Sequence, residues 1–92
     1  MNQQDREILR QRIIGYLATR FPLAFDASAI CRSIKARSLV DFEITDADVT
    51  AALELLHGLG FTEIQTHELG ASKYWKATSC GVLESERNGW EL

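Results

Sequence analysis

Thr45-Asp-Ala-Asp-Val-Thr-Ala-Ala-Leu-Glu-Leu-Leu-His-Gly-Leu-Gly60, followed by Phe61-Thr-Glu-Ile-Gln-Thr-His67 and Ser72-Lys-Tyr-Trp-Lys-Ala77, is the stretch that decides the fold. Thr45 with Asp48 three residues on resembles a capping box, with Asp in place of the usual Glu or Gln. Asp46 and Asp48 also suit the positive end of a helix dipole. Val49, Ala52, Leu53 and Leu56 recur at helical spacing and form a buried stripe. Gly60 is the left-handed stop, with Gly58 the second candidate. The two segments that follow alternate as strands, with Leu69-Gly-Ala71 as the turn between them. In that register Ile64 and Trp75 face the core, and Lys73, Tyr74 and Lys76 lie on the hairpin surface.

Upstream, residues 5–20 read as a first helix. Leu9, Ile13, Tyr16 and Leu17 mark its inner face, and Ile14 widens it. Arg10 sits at the edge of that stripe, where its stem can be covered while its head stays in water. Gly15 falls on the opposite side and reads as a surface glycine, with a close approach by another segment as the alternative. Pro22 closes the helix. Leu23-Ala-Phe25 is a short apolar link suited to an edge strand against the later hairpin. Asp26, or Ser28, caps a second helix over Ala27–Arg37. That helix buries Ile30, Ile34 and either Ala27 or Cys31. Leu39, Val40, Phe42 and Ile44 make the next connection apolar enough to pack down. After Ala77, Thr78 or Ser79 caps a last short helix that Asn88-Gly89 ends. Trp90 then folds back on the first helix or marks a contact site; so small a domain favours folding back.

The chain has 92 residues, 46% hydrophobic and 25% charged, which suits one globular domain over 1–92 and argues against disorder. Cys31 and Cys80 are far apart and lack a Cys-x-x-Cys partner, so no disulfide framework or zinc site is expected. The polar start is unlike a signal peptide, and no apolar run nears the ~18 residues of a membrane span. A reduced, cytoplasmic protein without a membrane partner is the expectation. The net charge of −3 is unevenly spread. Residues 1–20 are net basic, whereas the third helix carries Asp46, Asp48 and Glu54 and no Lys or Arg.

Leu53-Glu-Leu-Leu-His-Gly-Leu-Gly-Phe61, followed by Lys73-Tyr-Trp-Lys-Ala-Thr-Ser-Cys-Gly81, resembles the winged helix-turn-helix pattern of small bacterial and phage or prophage regulators. The resemblance covers about residues 5–87. It implies an α+β fold of three helices, a two-stranded wing and a short last helix. It also implies double-stranded DNA as the partner, with the third helix in the major groove and the wing on the minor groove or phosphates.

The residues themselves pull against that implication. With Val49, Leu53 and Leu56 inward, Ala47, Ala51, Glu54 and Gly58 face outward, Thr50 and His57 take one flank and Leu55 the other. Direct readout favours Arg or Lys on guanine and Asn or Gln on adenine, and this helix has none. Thr50 can meet a thymine methyl, and Glu54 can accept from cytosine. Acids at the helix start repel the phosphates that a helix N-terminus otherwise attracts. The candidate DNA contacts are therefore Arg32, Lys35 and Arg37 on the second helix, Thr50 and His57 on the third, and Lys73 and Lys76 on the wing. Ala47, Ala51, Leu55 and Gly58 form the alternative, a surface for a homodimer or a protein partner that needs no DNA. A plain solvated helix face is the third reading. His57 and His67 lack the spacing of a zinc pair. Cys80 lies near a helix start, but no His nearby in sequence could serve as its base. Glycine phosphate loops and catalytic triads are also missing, so no enzyme, metal or cofactor is expected.

Overall fold

The computed structural model describes residues 2–66 and 73–90. Its elements run α1 (Gln3–Thr19), α2 (Ala27–Ala36), α3 (Asp46–Gly58), β1 (Thr62–Thr66), β2 (Lys73–Ala77) and α4 (Ser79–Asn88). That is the expected order of three helices, a hairpin and a short last helix. The expected turn at Leu69-Gly-Ala71, with Ser72 and His67, lies outside the described residues.

Each helix starts where a side chain takes up an orphan backbone N–H. α1 begins earlier than residue 5 because Asn2 accepts from the Asp5 amide at 2.8 Å. Asp26, rather than Ser28, caps α2 by accepting from the Ala29 amide at 2.7 Å. Thr45 and Asp48 complete the capping box of α3: the Asp48 amide donates to Thr45 Oγ1, and the Thr45 amide donates to Asp48 Oδ2. Thr78 caps α4 by accepting from the Gly81 amide, and its own hydroxyl donates to the Gly60 carbonyl at 2.7 Å. Gly60 has φ +83, so it is the left-handed residue, while Gly58 stays inside α3.

The core forms where α1, α2, α3 and β2 converge. Leu9, Ile13, Ile14, Leu17, Ile30, Ile34, Val49, Leu53, Leu56 and Trp75 are buried together. Cys31, not Ala27, fills the remaining inward place on α2. Ile44 is buried, and Leu39, Val40 and Phe42 pack against the core, so the long α2–α3 connection lies down as expected. β1 and β2 are antiparallel, with Ile64 opposite Trp75 and Thr62 opposite Ala77. Phe25 adds a single bridge to Trp75, through N–H···O bonds of 2.9 and 2.7 Å. The predicted edge strand is thus one residue pair long.

Gly15 departs from the surface reading. It is buried, and a Cβ built there would lie 2.0 Å from the Trp90 carbonyl oxygen. Trp90 does fold back, and its backbone crosses α1 where only a glycine leaves room. Thr62 and Ser85 are buried although their chemistry gave no such signal. The Thr62 hydroxyl is satisfied by the Leu53 carbonyl.

Candidate nucleic-acid interface

α3 is the element around which a binding face can be built. Val49, Ala52, Leu53 and Leu56 are inside, while Ala47, Ala51, Glu54, Leu55, His57 and Gly58 are exposed and Thr50 is half-buried. At about 100° per residue, the outward centre of the helix is Ala47, Ala51, Glu54 and Gly58. The two flanks differ. On one side Thr50 and Asp46 border a cleft of about 420 Å³ with Asp26, Ala27, Ser28, Lys73 and Trp75. On the other, Asp48, Ala51, Ala52 and Leu55 border a cleft of about 400 Å³ with Arg6, Leu9 and Arg10 of α1.

The first flank gathers most of the expected contacts. Thr50 donates its hydroxyl to the Asp46 carbonyl at 2.9 Å, which leaves its methyl group to meet a partner. Lys73 stands on the same sheet face as Trp75 but beyond it, exposed at the rim of the cleft. Arg32 and Lys35 of α2 are exposed and close enough to Asp46 to act on its carboxylate. Asp46 is held below the usual carboxylate range, first by the Ser28 hydroxyl at 2.7 Å, then by Cys31, with smaller help from Lys35 and Arg32. It is therefore ionised near neutral pH and offsets part of the positive field beside it. The Cys31 thiol is pushed up, mainly by burial and then by its hydrogen bond to Asp46.

Of the other expected contacts, Lys76 and Arg37 are placed apart, and His57, on the Thr50 flank, is engaged by its neighbours. Lys76 points to the opposite sheet face from Lys73, because strand side chains alternate. Its Nζ lies 3.0 Å from Glu63 Oε1 across the register, which neutralises it. His57 is tied through Nδ1 to the Thr62 carbonyl at 3.0 Å and meets Trp75 edge-on. Arg37 is exposed at the C-cap of α2. Leu55 is 46% exposed, and nothing lies within 4 Å of a Cβ built on Gly58, so the expected partner face is open among the described residues.

The sequence reading missed Arg6 and Arg10. Their i, i+4 spacing shows that they share a face of α1. Only the packing of α1 on α3 reveals that this face adjoins Ala51 and Leu55.

Solved structures share this fold. A transcriptional regulator from Clostridium thermocellum superposes with a TM-score of 0.76 at 14% identity, covering 97% of this chain and 84% of that one. A PadR-like transcription factor from Bacteroides fragilis gives 0.75 at 19%, covering 95% and 82%. Bacillus subtilis PadR in complex with operator DNA gives 0.70 at 19%, covering 87% and 45%. The chain folds as a winged helix. No protein-family model matches it, and no curated protein matches it by sequence.

In this winged helix α3 precedes the hairpin β1–β2, which forms the wing. Its acidic, cation-free α3 is a property of this chain's own sequence and is unchanged by the likeness. No helix among the described residues is long and apolar enough to cross a membrane.

Proposed function

We propose that the protein is a winged-helix DNA-binding regulator that works in the cytoplasm as one domain over residues 1–92. It holds duplex DNA mainly through phosphates, with α3 supplying shape and a few weak base contacts. One observation carries this reading: the exposed face of α3 stands beside Lys73 of the wing and Arg32 and Lys35 of α2, in a fold shared with a regulator solved on its operator. Phosphate contacts position a protein and supply sequence-independent affinity. That suits a helix whose outward residues are Ala47, Ala51, Glu54 and Gly58. Thr50 is the residue through which α3 prefers a thymine methyl.

Among the described residues no group of His, Cys, Asp and Glu could hold a metal ion. The thiol of Cys31 is shifted away from the nucleophilic form.

The deciding experiment is a binding isotherm on duplex DNA at two salt concentrations. Binding that weakens steeply with salt is expected, and Lys73→Ala should flatten the slope of log K against log salt by about 0.9. Lys76→Ala should leave the slope alone, because its partner is Glu63. An absence of binding at ~50 mM salt and high micromolar protein, where non-specific binders associate, would abandon DNA for the protein-partner surface of Ala47, Ala51, Leu55 and Gly58.

A further inference from the structure

Ten Lys and Arg residues are present in the chain, and their surroundings sort them. Lys76 pairs with Glu63 and Arg87 with Glu84. Arg20 stacks on the Tyr16 ring, 3.9 Å from its centroid, and donates to the Tyr16 carbonyl. Arg12 has its Nε buried without a partner. Arg6 and Arg10 remain, with Arg32, Lys35, Arg37 and Lys73; none of these six makes an ion pair within 4.0 Å among the described residues.

Five of these six fall on two opposite sides of α3. Arg6 and Arg10 share a cleft with Ala51 and Leu55, and Lys73 shares one with Thr50 and Asp46, near Arg32 and Lys35. At about 100° per residue, Leu55 and Thr50 lie roughly 140° apart around the helix axis, with the exposed alanines between them. A helix seated in a major groove about 12 Å wide lies between two sugar–phosphate strands, one along each flank. Cations on both flanks match that geometry; a protein partner laid on α3 would need no such symmetry.

We infer that Arg6 and Arg10 of α1 form a second phosphate clamp, gripping the DNA strand on the Leu55 side of α3 while Lys73, Arg32 and Lys35 face the opposite strand. This rests on the DNA-binding reading and adds to it a contact surface on α1. Arg6 is exposed and Arg10 half-buried, and both line the cleft. Asp48 borders the same cleft, but one of its carboxylate oxygens accepts from the Thr45 amide at 3.0 Å. The basic balance of residues 1–20 thereby gains a role, supplying charge that α3 lacks.

The test compares wild type, Arg6→Gln/Arg10→Gln, Arg6→Lys/Arg10→Lys and Lys73→Ala on one duplex, by salt titration and by phosphate-ethylation interference. The Gln pair should flatten the log K against log salt slope by about 1.8, at roughly 0.9 per phosphate, and lose interference along one strand only. Lys73→Ala should lose interference on the other strand. The Lys pair keeps both charges and should keep the wild-type slope, which separates charge from any damage to α1. Wild-type binding with an unchanged slope and footprint in the Gln pair overturns the clamp and leaves the DNA reading standing. Loss on the same strand as Lys73→Ala also overturns it. A wild type that binds no duplex overturns both.

Discussion

Gly15→Ala sets a helix preference against a tertiary contact. In an open helix the change stabilises by about 1 kcal/mol, because alanine loses less backbone entropy. Here the added Cβ would sit 2.0 Å from the Trp90 carbonyl oxygen and 3.0 Å from its carbon. Ordinary contact begins near 3.4 Å, so the two backbones must part by about 1.4 Å. Overpacking of this kind costs about 1–3 kcal/mol. Loss of the Trp90 N–H bond to the Ser85 carbonyl, 2.9 Å long, would add about 0.5–1.5 kcal/mol if the segment detaches. Subtracting the alanine gain leaves a net destabilisation of about 0.5–3.5 kcal/mol. Gly58→Ala is the internal control. Gly58 is helical and a Cβ there meets nothing within 4 Å, so the same substitution should stabilise by up to ~1 kcal/mol. Urea unfolding of both variants reads the difference, about 0.5–4.5 kcal/mol, and a red shift of Trp90 emission in Gly15→Ala would locate the cause. Equal stabilisation by both substitutions would refute the close approach of Trp90 to α1.

Leu53→Ala should cost roughly 2–5 kcal/mol, because Leu53 is fully buried where α1, α2 and the hairpin meet α3. Denaturant melts check this, and a loss under 1 kcal/mol would move the core elsewhere. Ser28→Ala should act through Asp46, the carboxylate its hydroxyl holds down. A depressed folded pKa contributes stability that is complete above the unfolded value, near 3.9, and is lost as pH falls through the folded one. The wild type should therefore melt higher than Ser28→Ala at neutral pH, with the gap closing only in the acidic range below about pH 4. A gap that persists at the acid end, or that shrinks on raising the pH, would sink this account.

The helices and several of their ends were legible in the sequence because their causes are local; the Asn2 cap of α1 was not read. Thr45 with Asp48, Thr78, and Gly60 act within four residues of the backbone groups they satisfy, so spacing alone reveals them. The inward stripes of α1, α2 and α3 were equally plain, since a helix repeats every 3.6 residues whatever it packs against. The cation-free, acidic character of α3 was also fixed in the chain, and packing could not alter it. What the chain order hid were relations between elements. Gly15 looked like a surface residue because nothing near it in sequence shows that the Trp90 backbone returns across α1. Ser28 competed with Asp26 as a cap until the fold brought Asp46 within 2.7 Å of its hydroxyl. Lys73 and Lys76 looked like a pair until the strand pairing set Glu63 opposite Lys76. Arg6 and Arg10 gained their place beside α3 in the same way, from the side-by-side packing of α1 and α3. Hydrophobic burial determines which face of each helix turns inward, but the angle and order in which those faces meet arise only when the whole core closes, and that closure decides which charges stand beside α3.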